Sequence, residues 1–187
     1  MISAKTLAEY LIYLNHKIQG QDTDITPMKL QKLLYYCQGY SLALTGKPIF
    51  FEPIEAWTHG SVIDSVYQEY KKYKNEVIPV VEEKNFETID ETAKSIADFV
   101  VDEKKWLNAY ALSDSTHREA PWKSTFKNDS CFHQDVISNE KIKDFFSREF
   151  LKYEESEDEE DSLWLSVGKN VSREKMEAVG LFHAILF

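Results

Sequence analysis

Ser113, Asp114, His117 and Glu119 form the densest run of chemically able side chains in this sequence. A His-x-Glu pair beside an aspartate has the residue types of a metal or acid/base site, because imidazole and carboxylate both ligate cations and both exchange protons. Such a centre needs two or three further ligands, and His59, His133 and His183 stand at no diagnostic spacing from the pair. The competing reading is that His117 and Glu119 order a helix-to-turn junction by hydrogen bonds, and an isolated pair favours it. A metal-dependent enzyme built on His117 and Glu119 therefore ranks last among the functional readings. There is no HExxH, no Walker-type lysine and no GxSxG, and the six glycines are scattered rather than gathered into a phosphate loop. No catalytic residue, metal or cofactor is expected.

The 187 residues hold 22 Lys and Arg against 32 Asp and Glu, a net charge of -10. Binding to nucleic acid through phosphates needs clustered cations, so that class is set aside. An acidic surface suits a basic protein partner, whose approach it accelerates, and it also serves solubility. The aromatic share is 13%, with ten Tyr and eleven Phe. Rings bring much contact area at small entropic cost, as partner recognition requires. Cys37 and Cys131 form no CxxC pair. With no basic-then-apolar leader and no apolar run of membrane length, the expectation is a cytoplasmic protein that does not enter a membrane.

The elements that must hold these residues are mostly helical. A first helix is predicted over residues 3–17, with Ser3 as N-cap, Leu7, Leu11, Leu14 and Ile18 as its buried stripe, and Gly20 as its stop. His16 falls in its last turn, where a cation suits the helix dipole. Thr26 caps a second helix with Pro27 at its first position, lined by Leu30, Leu33, Leu34, Cys37 and Tyr40 and ended by Gly46. The two read as an antiparallel pair, and Cys37 as a packing residue. Pro48, Pro53 and the strand-prone Ile49, Phe50, Phe51, Ile54 and Trp57 predict an extended piece over 47–57, with 77–81 as the other strand candidate. Helices follow over 61–73, capped by Ser61, over 88–104, capped by a Thr88–Glu91 box, and over 108–116. Ala120-Pro121-Trp122 predicts an extended turn, and Ser138 caps a helix with Ile142, Phe145, Phe146 and Phe150 inward.

From Glu154 to Asp161 the chain is acidic but for Ser156, a solvated tether by composition. Beyond it Leu163-Trp164-Leu165 and an amphipathic stretch with Met176, Val179, Phe182 and Leu186 either dock on the domain or meet a partner. The fold class expected is mainly α: one helical domain over 1–150 with a small β element, a short hairpin or two-strand sheet, and a helical C-terminal extension over 151–187.

Residues 26–40, Thr-Pro-Met-Lys-Leu-Gln-Lys-Leu-Leu-Tyr-Tyr-Cys-Gln-Gly-Tyr, resemble the second-helix signature of the Panacea, SocA-like or GepA-like, antitoxin domain. Gly46-Lys47-Pro48-Ile49-Phe50, Glu55-Ala56-Trp57 before Gly60, and Val66-Tyr67 continue the pattern. Thr116-His117-Arg118-Glu119-Ala120-Pro121-Trp122 and Ile142-Lys143-Asp144-Phe145-Phe146 complete it, over roughly residues 1–150. After the tryptophan the family usually has an aromatic, a glycine and a proline; here Thr58-His59-Gly60-Ser61 stands instead, exchanging a proline-led helix entry for a serine cap. The resemblance implies a helical domain with a small β element that neutralises a cognate toxin by direct contact. Its alternative is a phage-associated adaptor that delivers a client to a protease, a chaperone or other host machinery. Tyr35, Tyr36, Trp57, His59, Tyr67, His117, Glu119 and Trp122 are the candidate partner-binding residues. Trp57 and Trp122, with the tyrosines, are expected either to line a shared groove or to plug the core.

Overall fold

The computed structural model describes residues 1–20, 23–79, 86–127 and 135–155. Helix α1 (Ala4–Gln19) starts where the Ser3 hydroxyl accepts the Thr6 amide at 3.0 Å, and ends at Gly20 with φ +59°. Helix α2 (Pro27–Thr45) starts with Thr26 accepting the Lys29 amide at 3.3 Å, and ends at Gly46, φ +70°, a backbone state that glycine adopts without strain. These caps and stops are the predicted ones. His16 sits in the last turn of α1 with Nε2 3.2 Å from the Ile78 carbonyl oxygen.

Helix α2 is the axis on which the rest is packed, and it is buried almost all round. The predicted apolar stripe accounts for only part of that surface, since Lys29, Gln31, Lys32 and Gln38 are buried as well. Buried polar groups need partners, and here irregular backbone and polar side chains supply them. Gln38 accepts the Ile49 amide at 3.0 Å and donates to Asn139 at 3.2 Å. Gln31 accepts the Ile63 amide at 2.8 Å, and Lys29 is held by Asp24 at 2.6 Å. Cys37 is fully buried in the core, as its helical position predicted.

The sheet is antiparallel, ordered β2-β1-β3, from β1 (Ile54–Trp57), β2 (Gly60–Val62) and β3 (Asp135–Ile137). Trp57 pairs with Gly60, and Glu55 pairs with both Val62 and Val136. The fold is mainly α with a small β element, as expected, but the strand partners differ. Residues 77–79 form no strand, and 80–81 lie outside the described residues. Ser61 belongs to β2 rather than capping a helix. Helix α3 (Asp64–Tyr70) begins after Ile63 with no side-chain cap, and Gln31 meets the Ile63 amide instead. A 3-10 turn, Lys71–Tyr73, follows it.

Helix α4 (Glu91–Lys104) is capped by Asp90, which accepts the Ala93 amide at 2.9 Å, not by the Thr88–Glu91 box. Helix α5 (Ala109–Arg118) is capped by Asn108. Where an extended turn was expected, Pro121 sits at the start of a one-turn helix, α6 (Ala120–Lys123), a position that tolerates its missing amide. Helix α7 (Asn139–Glu155) is capped by Ser138 and packs Ile142 and Phe146 onto α2, with Phe145 at the margin. Gly39 makes that contact close, because a Cβ there would overlap the Phe146 ring. The Phe150 side chain, most of the acidic run at 154–161, His133, Cys131 and the stretch 163–187 lie outside the described residues. Among the described residues no helix is long and apolar enough to cross a membrane.

Candidate partner-binding face

The turn between β1 and β2 is gripped by side chains from three helices. The Trp57 carbonyl accepts the Trp122 indole N–H at 2.9 Å, and the His59 carbonyl accepts the Ser113 hydroxyl at 3.0 Å. The Ser61 carbonyl accepts Lys32 Nζ at 2.9 Å, and His117 lies beside the Thr58 backbone. Gly60 sits at φ +99° in the middle of this grip. A Cβ there would lie 2.6 Å from Lys32 Nζ and 2.8 Å from Thr116 Oγ1, so the approach of α2 and α5 to the hairpin requires glycine on both counts.

The aromatic rings gather around the same turn. Trp57 meets Tyr67 edge-on at 4.9 Å between centroids, and its indole N–H donates to Glu55 at 2.7 Å. His117 lies tilted on Trp122 at 4.3 Å, and Trp122 stacks on Phe126 at 4.4 Å. His59 and Tyr67 are exposed, while Trp57, His117 and Trp122 are half-buried. The outcome combines the two expectations for the tryptophans: each is fastened into the hairpin and keeps part of its surface outward.

Tyr35 and Tyr36 are placed differently. They are 0% and 3% exposed and belong to the core beneath the face, so they do not line a surface groove. Tyr36 still connects to the face, donating its hydroxyl to Glu119 Oε1 at 2.8 Å. The Tyr35 hydroxyl faces the same carboxylate without reaching hydrogen-bond geometry, and it and Glu119 Oε2 are both buried without a partner. Glu119 is the last residue before α6, so this carboxylate pins the turn that carries His117 and Trp122 to α2.

Two lysines complete the buried charge. Lys32 and Lys104 are each 1% exposed, and the Lys104 ammonium stands 4.7 Å from the centre of the Tyr36 ring. Burial pushes the Glu119 carboxyl up to about 7 against the pull of Tyr35, Tyr36 and Lys104. Burial likewise pulls Lys32 down to about 7, opposed by Glu119, and it lowers Lys104. His117 is held below its ordinary value by burial and by the nearby Lys32. Asp114 turns outward to pair with Arg118 at 2.6 Å, so Asp114, His117 and Glu119 diverge instead of converging. Among the described residues no three His, Cys, Asp or Glu side chains are grouped to hold a metal ion.

Of the eight candidates the fold thus brings Trp57, His59, Tyr67, His117 and Trp122 to one face, with Glu119 behind it and Tyr35 and Tyr36 in the core. Lys32, Lys104 and Gln31 were missed. The available signal was Lys and Gln at 29, 31, 32 and 38 inside a helix whose remaining positions are nearly all apolar or aromatic.

Residues 30–123, half of the chain, match a family model described as antitoxin SocA-like, Panacea domain. The match runs from the first turn of α2 to the end of α6 and includes both turns that build the face. No curated protein and no solved structure gives a match.

Proposed function

The chain belongs to the SocA-like Panacea antitoxin family, and from that premise we propose that it neutralises a cognate toxin by direct protein contact through the face formed by Trp57, His59, Tyr67, His117 and Trp122. The observation that carries this reading is the grip on the β1–β2 turn. Three carbonyls of one hairpin are fixed by Trp122, Ser113 and Lys32, and the aromatics are thereby held in place before any partner arrives. Preorganised aromatics at the centre of a contact carry most of its energy, since little entropy remains to be lost. A masking inhibitor requires no catalytic group. The net charge of -10 suits a basic toxin.

Co-expression with the product of the adjacent gene tests the reading. Growth rescue and a soluble complex are expected. Tyr67→Ala, at an exposed ring, should weaken the complex about tenfold or more while leaving the fold intact, as central aromatic truncations do. A Tyr67→Ala, His59→Ala double variant that is folded and fully protective would move the contact elsewhere.

A further inference from the structure

Resting on that reading of the face, we propose that Lys32, Glu119 and Lys104 form a buried charge latch: they are positioning residues that set how firmly the turn carrying His117 and Trp122 is held against the hairpin carrying Trp57 and His59, and so regulate the face. Glu119 fastens the turn to α2 through Tyr36, and Lys32 fastens the hairpin to α2 through the Ser61 carbonyl. The Trp122–Trp57 hydrogen bond joins the two. Any opening between turn and hairpin therefore brings water to these charges.

The cluster draws on every element around it. Lys32, Tyr35, Tyr36 and Tyr40 face it from α2, Glu103 and Lys104 from α4, Asp114 and His117 from α5, Glu149 from α7, and His59 from the hairpin. Glu119 acts electrostatically on both lysines, and Tyr35 Oη, Ser61 Oγ, Glu119 Oε2 and His117 Nε2 are buried without hydrogen-bond partners. An ion cluster that poorly satisfied is weakly held whenever its members are charged.

The pH signature follows in sign. In the closed state Glu119 titrates at about 7 and Lys32 at about 7. Opening to water returns them to ordinary values of about 4.3 and 10.4. Between about pH 4.3 and 7 the closed state binds more protons than the open one through Glu119, so closure weakens as pH rises. Between about 7 and 10.4 the closed state binds fewer protons through Lys32, so closure strengthens as pH rises. Opening is greatest near neutrality and falls on both sides.

The Trp122 indole N–H reports the latch, since it bridges turn and hairpin. Its hydrogen exchange is measured by NMR in the full-length chain from pH 5.5 to 8.5, corrected for intrinsic exchange and assigned by its disappearance in Trp122→Phe. The expected opening constant peaks near pH 7 and drops about tenfold toward each end. Glu119→Gln should abolish the acid limb alone, and Lys32→Met should flatten the alkaline limb alone, leaving only the share that Lys104 carries. If one of these fails to fold, the other still decides its own limb. A flat wild-type profile overturns the latch, as does an acid limb that survives Glu119→Gln. The exchange is read without a toxin, so a failed latch leaves the co-expression result standing, and a failed co-expression leaves the latch.

Discussion

Adjacent tyrosines on α2 show how much a single oxygen decides. The Tyr36 hydroxyl donates to Glu119 at 2.8 Å inside the core, whereas the Tyr35 hydroxyl is buried beside the same carboxylate without a well-formed bond. Removing the Tyr36 hydroxyl leaves a buried carboxylate oxygen unpaired, which costs about 1–3 kcal/mol or more when the acceptor is charged. Removing the Tyr35 hydroxyl deletes a polar group that gains little from burial, so the change is close to neutral. Tyr36→Phe should lower the urea midpoint clearly, with Tyr35→Phe within about 0.5 kcal/mol of wild type. Equal effects would mean that the two hydroxyls share the carboxylate. The sequence reading paired these tyrosines in one groove because adjacency in the chain does not reveal which side of a helix is covered when all sides are covered. His117 and Glu119 were legible as a turn-ordering pair. Their neighbours, Thr58 and Tyr36, were not, since each comes from a distant stretch of chain.

Close packing of α2 on α7 rests on Gly39, whose missing side chain makes room for the Phe146 ring. Gly39→Ala improves local helix propensity by about 1 kcal/mol, yet the methyl would overlap a ring that also packs edge-on against Tyr35, Tyr36 and Tyr40. Overpacking of this kind costs about 1–3 kcal/mol, so the net effect should be destabilising. Pairing Gly39→Ala with Phe146→Leu should recover part of the loss, a coupling that a double-mutant cycle in urea measures directly. The same element explains where sequence patterns succeeded and failed. Ser3, Thr26, Gly20 and Gly46 were readable because caps and stops are satisfied within one turn of chain. Ser61 misled because a serine before an apolar helical stripe looks like a cap, while the Ile63 amide is met from α2 by Gln31. Thr88 and Glu91 had the spacing of a capping box, but Asp90, two residues further on, makes the actual bond to Ala93. Strand β3 was invisible as a partner for β1 because the pairing spans some eighty residues and only three positions.

The whole molecule is built around buried phenols, and this sets its response to alkali. Burial, assisted by nearby carboxylates, raises Tyr10, Tyr35, Tyr36 and Tyr40 well above the ordinary phenol value and Tyr70 to about 12. Burial also raises the Cys37 thiol. In the unfolded chain all six ionise near their ordinary values, about 10 for tyrosine and 8.5 for cysteine. A raised folded value means that the stabilising contribution is complete below the unfolded pKa and is lost as pH climbs toward the folded one. Lys32 and Lys104, both lowered, act oppositely and add stability up to about pH 10.4, where the unfolded lysines also lose their protons. Above that value only the phenols and the thiol remain in play. Each costs about 1.4 kcal/mol per pH unit, so six together remove on the order of 8 kcal/mol per unit. A domain's whole stability is about 5–15 kcal/mol, and unfolding should therefore be complete within about two pH units. Tyrosinate absorbance at ~295 nm and far-UV circular dichroism, recorded along one alkaline titration, check this: the buried phenols should ionise in one steep step that coincides with loss of helix. Smooth ionisation of all ten tyrosines ahead of unfolding would show that these rings are open to water while the helices persist.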